Sequence, residues 1–315
     1  MAQDHRIKGI DCGSAAAVGI HKALNERFEE MSRLRRDAIK WKDPEGVHSM
    51  RVASRRLRSA VSDFMPYVNK RSLSSITKQI RSIADALGEV RDQDVAILAL
   101  EELESETPPE FFPTLQKLID ARKEIRRVSR QELKRILVKD RMKELSDDFD
   151  KALTAATKLK GGLSSSPYSH SFKDVAKAII RDRLGELETL STSLYQPLDA
   201  TQLHEMRLGA KRLRYAVEMF SSCWDGDIVP FAKNCARLQG ALGRLHDCDV
   251  WIQSFRQEIQ KSKTIKLREQ TEAFIWLFTH FNNLRHSHFQ ESFSLWKTWE
   301  KDQLSEKLRE ALKSN

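Results

Sequence analysis

The stretch VHSMRVASRRLRSAVSDF, Val47 to Phe64, aligns without a gap to LHEMRLGAKRLRYAVEMF, Leu203 to Phe220, and shares nine of its eighteen residues with it. Val47, Met50, Ser54, Leu57, Val61 and Phe64 recur in alternating steps of three and four, as do Leu203, Met206, Ala210, Leu213, Val217 and Phe220. That spacing places each set on one face of an α-helix, so both stretches read as amphipathic helices with a stripe that needs a core.

A second pair of segments keeps the same order. IADALGEVRDQDV (Ile83 to Val95) aligns to LQGALGRLHDCDV (Leu238 to Val250) at an offset of 155, against 156 for the first pair. Two motifs in one order at one spacing indicate an internal repeat. Between the copies, KGGLSSSP (Lys160 to Pro167) breaks any helical pattern and reads as a linker, which predicts one domain over 1–160 and another over 161–315. Helical segments are expected near 15–41, 44–65, 72–105 and 113–159, then 169–192, 199–222, 228–260 and 263–312, with prolines at or near most of the breaks. The last segment of each half is long enough for two helices. Four amphipathic helices with short connections pack as a bundle, so the expected fold class is all-α, two tandem four-helix bundles related by internal pseudo-symmetry.

Composition agrees. In 315 residues there are only 12 Gly and 8 Pro, with 31% charged and 40% hydrophobic residues, a balance typical of long amphipathic helices. A formal charge of +9 biases the surface toward phosphates, nucleic acid or acidic membranes without choosing among them. Cys12, Cys223, Cys235 and Cys248 form no CxxC pair and do not recur between the halves, which supports neither a disulfide framework nor a zinc cluster and points to a reducing cytoplasm. The most hydrophobic run, Ala273 to Phe281, is too short to cross a bilayer, so no membrane partner is expected.

Beside each apolar stripe runs a basic one: His48, Arg51, Arg55 and Arg58, then His204, Arg207, Lys211 and Arg214. It lies at the edge of the core-facing side, with Arg56 and Arg212 pointing further outward. Like charges one turn apart repel, and no acid interleaves within the line to relieve them. A solvated face is the bland reading of one such helix; two copies in one register favour a site for an anion. Guanidinium forks hold phosphate oxygens bidentately, and histidine adds a proton as pH falls.

The second motif contributes Gly88, Asp92 and Asp94, then Gly243, Asp247 and Asp249, with Lys78 and Lys233 at equivalent positions ahead of them. Asp94 falls on the side of Ile80, Ile83 and Leu87, where a carboxylate needs a partner. These aspartates are expected to be structural, holding the arginines or histidine of the neighbouring helix, while the glycines allow close helix contact. A metal-dependent phosphohydrolase site at His204, His246, Asp247 and Asp249 is the sharper alternative; Arg91 in the position of His246 excludes a duplicated one, since arginine does not ligate metals. No Gly-rich phosphate loop, GxSxG elbow or HExxH motif is present, so neither an activated nucleophile, nor a metal, nor any cofactor is expected.

The two motifs, H-x-x-R-V-x-x-R-R-L-R with L-G-x-V-R-D-x-D-V and H-x-x-R-x-x-x-K-R-L-R-Y with L-G-x-x-x-D-x-D-V, resemble the CHAD family, the conserved histidine α-helical domain, over almost the whole chain. The resemblance implies basic surfaces on repeated helices, binding of inorganic polyphosphate, and association with cytoplasmic polyphosphate granules. Some members are fused to a CYTH triphosphate-processing domain; its absence from this sequence implies a binder rather than an enzyme. By position, the family's histidines fall on His48 and His204, and its basic residues on Arg51, Arg55, Arg56, Arg58, Arg207, Lys211, Arg212 and Arg214. Lys78 and Lys233 fit the pattern as well; Arg27 and Arg183, equivalent in the first helix of each half, fit less specifically, and Arg130 and His286 extend the groove only if their helices face it. Backbone binding of nucleic acid is the competing expectation, disfavoured because beyond core phenylalanines the basic helices offer only Tyr215 for stacking.

Overall fold

The computed structural model describes residues 7, 9–40, 43–158, 170–265 and 268–314. Its elements are α1 (Ala16–Arg33), α2 (Arg35–Lys40), α3 (Glu45–Phe64), α4 (Lys70–Glu101), α5 (Phe112–Ile136), α6 (Lys139–Thr157), α7 (Phe172–Leu190), α8 (Ala200–Phe220), α9 (Val229–Ile265), α10 (Arg268–Lys301) and α11 (Leu304–Ala311). Among the described residues the fold is all-α; pairing of extended backbone is confined to an isolated bridge between Ala15 and Ser171. Among the described residues no helix is long and apolar enough to cross a membrane.

The chain divides into two compact units. The amino-terminal unit comprises Ile7–Glu106 with Gln116–Val175, and the carboxy-terminal unit comprises Ala176–Asn315 with Thr107–Leu115. The proposed linker at 160–167 lies outside the described residues. In the amino-terminal unit the ring of contacts closes: α1 packs on α3, α3 on α4, α4 on α6 and α6 on α1. The α3 stripe Val47, Met50, Ser54, Leu57, Val61 and Phe64 is buried along its length. Phe28 stacks on Phe149, ring centroids 4.1 Å apart, joining α1 to α6. In the carboxy-terminal unit α8 packs on α9 and α9 on α10, and the stripe Leu203, Met206, Ala210, Leu213, Val217 and Phe220 is likewise buried.

Local chemistry sets the ends. Asn69 Oδ1 accepts from Arg71 N at 3.1 Å and Asp199 Oδ1 from Gln202 N at 3.0 Å, capping α4 and α8. Ser171 and Asp174 exchange backbone-to-side-chain bonds in a capping box at the start of α7. The final segment of each half is two helices. α5 gives way to α6 where Arg35 Nε takes the Leu137 carbonyl at 2.6 Å, a tertiary bond replacing a helical one. α10 ends at Lys301, and Gln303, with a φ of 52°, separates it from α11. Cys235 and Cys248 are buried free thiols.

Gly46, in the first turn of α3, lies against α2: a Cβ there would sit 2.4 Å from the backbone oxygen of Asp37. Backbone cannot swing aside as a side chain does, so Gly46→Ala is expected to destabilise the amino-terminal unit by about 1–3 kcal/mol through overpacking. Urea unfolding checks this; an unchanged midpoint would show that the α2–α3 junction yields freely.

Candidate anion-binding faces

On the amino-terminal unit the basic line of α3 faces the Asp85, Gly88, Asp92 side of α4. Arg51 Nη2 donates to Asp92 Oδ1 at 2.9 Å, and Arg58 Nη1 lies 3.6 Å from Asp85 Oδ1. Gly88 leaves room for this approach, since a Cβ there would be 3.9 Å from Arg51 Nε. Asp85 and Asp92 remain 65% exposed, so both pairs are open to water and contribute little to stability. Arg55 on α3 and Lys78, Arg81 and Arg91 on α4 make no hydrogen bond or ion pair among the described residues.

Burial first, then Arg91, holds the His48 imidazole below its ordinary value, with Arg51 and Arg55 adding to the effect and Glu45 opposing it. His48 Nδ1 is buried without a hydrogen-bond partner. Arg58 is also depressed, by burial first, with Arg81 and Arg55 contributing against the pull of Asp85. At the far end of α4, Asp94 is buried and accepts from Arg126 Nη1 of α5 at 3.2 Å, and burial raises its carboxyl above the usual range. Its partner thus comes from α5, not from the basic helix, because Asp94 projects to the apolar side of α4. Arg130 adds a further cation beside Arg126.

The carboxy-terminal unit carries a related face with different neutralisation. His204 lies against His246, ring centroids 4.1 Å apart. Gly243 leaves a Cβ position 3.5 Å from Arg207 Nε. Asp249 accepts from Arg285 Nε of α10 at 2.6 Å, the counterpart of Asp94 with Arg126. Arg214, however, turns to Glu218 at 2.7 Å and Gln239 at 3.3 Å, because Gly240 stands where the amino-terminal unit has Asp85. Lys211 is half-buried, and Asp247 and Lys233 are exposed. His286 is on α10. Among the described residues no three His, Cys, Asp or Glu side chains converge so as to hold a metal.

Four arginines assigned to the basic faces sit elsewhere. Arg56, expected to point outward, is 6% exposed and lies 3.5 Å from Glu30 Oε1, whose other oxygen accepts from Arg27 Nη1 at 2.8 Å. In the other unit Arg212 grips Glu186 at 2.6 and 3.1 Å, and Arg183 shares that carboxylate at 3.1 Å. Each constellation ties the first helix of its motif to the basic helix through a glutamate that the pattern reading passed over. The signal was available: Glu30 and Glu186 follow Arg27 and Arg183 at equal spacing in both halves. Arg91 and Arg81, which act on His48 and Arg58, were not singled out from the sequence as neighbours of the basic line, nor was Arg126 as the partner of Asp94.

The CHAD domain model matches residues 22–256, well over half of the chain. The protein belongs to the CHAD family. A curated relative, the uncharacterised protein Rv2226 of Mycobacterium tuberculosis, is 26% identical over 201 residues, 62% of this chain and 38% of its own length. The chain therefore spans well under half the length of that relative. Two solved structures share the fold: the CHAD domain from the plant Ricinus communis, with TM-score 0.65 and 22% identity over 90% of this chain and 94% of that one, and PptA from Streptomyces chartreusis, with TM-score 0.63 and 13% identity over 90% and 100%. At these identities the likeness is one of fold alone.

The half-buried Glu30 yields a stability prediction. Glu30→Ala leaves Arg27 and Arg56 without their shared carboxylate, at a cost of about 3 kcal/mol, the low end for a broken buried pair because Glu30 is a quarter exposed. Asp92→Ala, which removes an exposed partner, should cost about 1 kcal/mol or less. Equal losses in chemical denaturation would contradict the assignment of Glu30 as the internal partner.

Proposed function

We propose that this CHAD protein binds inorganic polyphosphate without catalysis, through the α3–α4 face of the amino-terminal unit and the α8–α9 face of the carboxy-terminal unit. The observation that carries the reading is the set Arg55, Lys78, Arg81 and Arg91, four cations on α3 and α4 that make no hydrogen bond or ion pair within 4 Å among the described residues. Holding such charges together is unfavourable in the free protein, and a polyanion removes that cost. Arg51 and Arg58 join the face by exchanging exposed aspartates for phosphate oxygens, while His48 offers a nitrogen with no internal partner. In the other unit His204, Arg207, Lys211 and Lys233 take the corresponding places. Arg27, Arg56, Arg183 and Arg212 are packing residues in this reading, and Asp92, Asp94, Asp247 and Asp249 orient cations. Such a binder acts in the cytoplasm, at polyphosphate granules.

Polyphosphate affinity of the full chain, measured at two salt concentrations, tests this. Affinity should fall steeply with salt, as it does when a polyanion's counterions are released on binding. Arg55→Ala with Arg91→Ala should weaken binding at least about tenfold, the equivalent of about 1.4 kcal/mol, with little change in melting temperature. Saturating polyphosphate should raise stability, by about 2.7 kcal/mol at a hundredfold excess over Kd. A shallow salt dependence, or full affinity in the folded double variant, would overturn the assignment. Duplex DNA outcompeting polyphosphate at equal phosphate concentration would transfer the face to nucleic-acid backbones.

A further inference from the structure

The two faces differ at one position in a way that changes their chemistry. Arg91 on α4 is a fixed cation, whereas its counterpart on α9 is His246, with its ring against that of His204 at 4.1 Å between centroids and 43° between planes. His204 Nδ1 is buried and has no hydrogen-bond partner. We infer that His204 and His246 form a proton-dependent phosphate site, so that polyanion binding to the carboxy-terminal unit takes up protons while the amino-terminal face keeps a charge fixed by Arg91. The inference rests on the polyphosphate reading above and adds His246 to the binding residues.

The surroundings of the pair set the sign. From α8, Arg207 and Lys211 stand against protonation of His204 and Glu205 favours it; from α9, His246 stands against it, behind burial as the first cause. Asp247 and Arg244 flank His246 on α9. From α10, Glu291 takes Arg244 Nη2 at 2.6 and 2.7 Å, and His288 Nδ1 lies 3.4 Å from Arg244 Nε, so Arg244 is already neutralised by its own partner. Two imidazolium rings in contact beside Arg207 and Lys211 are disfavoured in the free protein. A phosphate oxygen bound at the edges of both rings supplies the opposite charge and raises their proton affinity. A ring whose bound-state pKa exceeds its free-state pKa gives tighter binding at low pH, complete below the free value and lost as pH rises through the bound one. Each proton taken up corresponds to about tenfold in affinity per pH unit within that window.

The test uses the full chain carrying His48→Asn, Arg55→Ala and Arg91→Ala, so that the carboxy-terminal face dominates. Inorganic polyphosphate affinity is measured at pH 6 and pH 8 at constant ionic strength, with proton uptake from calorimetry in two buffers of different ionisation enthalpy. This parent should bind about tenfold or more tighter at pH 6 and take up protons. Adding His246→Arg should bring affinity at pH 8 close to the parent's at pH 6 and reduce the uptake; His246→Gln, which removes one of the two titrating rings, should make the profile shallower and reduce the uptake at lower affinity. A parent that binds equally at both pH values, or that shares its pH profile with both His246 variants, overturns the inference while the polyphosphate reading stands. So does a parent that fails to bind when the wild type binds. Absence of binding by the wild type at either pH overturns the polyphosphate reading, and the inference with it.

Discussion

Desolvation of cations along the edge of a buried stripe is the constraint that organises the basic helices. α3 must bury Val47, Met50, Leu57, Val61 and Phe64, and the helix wheel then places arginines at graded depths beside them. A guanidinium removed from water without a partner is costly, so each depth needs its own solution. At the deepest level Arg56 and Arg27 share Glu30 inside the bundle. At the middle level Arg51 and Arg58 meet carboxylates that stay largely in water. Arg55, itself half-buried, has no hydrogen bond or ion pair among the described residues, so its charge is met by solvent alone.

This grading explains what the sequence disclosed. Stripes with a period near 3.6 are local properties, so the apolar and basic lines of α3 and α8 were legible directly. The burial of Asp94 was legible too, from its place on the side of Ile80, Ile83 and Leu87. Its partner was not, because Arg126 meets it only through the register of α5 against α4. Arg56 misled for the same reason. One helix wheel turns it away from the α3 core, and only the packing of α1 on that side, with Glu30 aimed at it, makes the position internal. The α5–α6 break carries no Gly or Pro; it depends on Arg35, about a hundred residues upstream, taking the Leu137 carbonyl.

The copies show which features packing protects and which it leaves open. Glu30 with Arg27 and Arg56 is reproduced as Glu186 with Arg183 and Arg212, and Asp94 with Arg126 as Asp249 with Arg285. Both constellations join helices within a unit and contain at least one largely buried partner. The water-facing pairs have diverged. Arg58 meets Asp85 across helices, while Arg214, facing Gly240, falls back on Glu218 of its own helix. Arg91 has become His246, and on α9 Arg244 is held by Glu291.

Divergence at the water-facing level leaves the cores of both units unchanged, because none of those side chains supports the apolar stripe. It alters the charges beside the basic helix: Arg91 on α4 is a fixed cation, whereas on α9 the same position holds His246, tilted against His204. Exchange confined to the edge of a buried stripe therefore changes the electrostatics beside each basic helix without disturbing its core. The cost of that arrangement is carried by the internal glutamates, which keep the deepest arginines neutralised whatever occupies the surface.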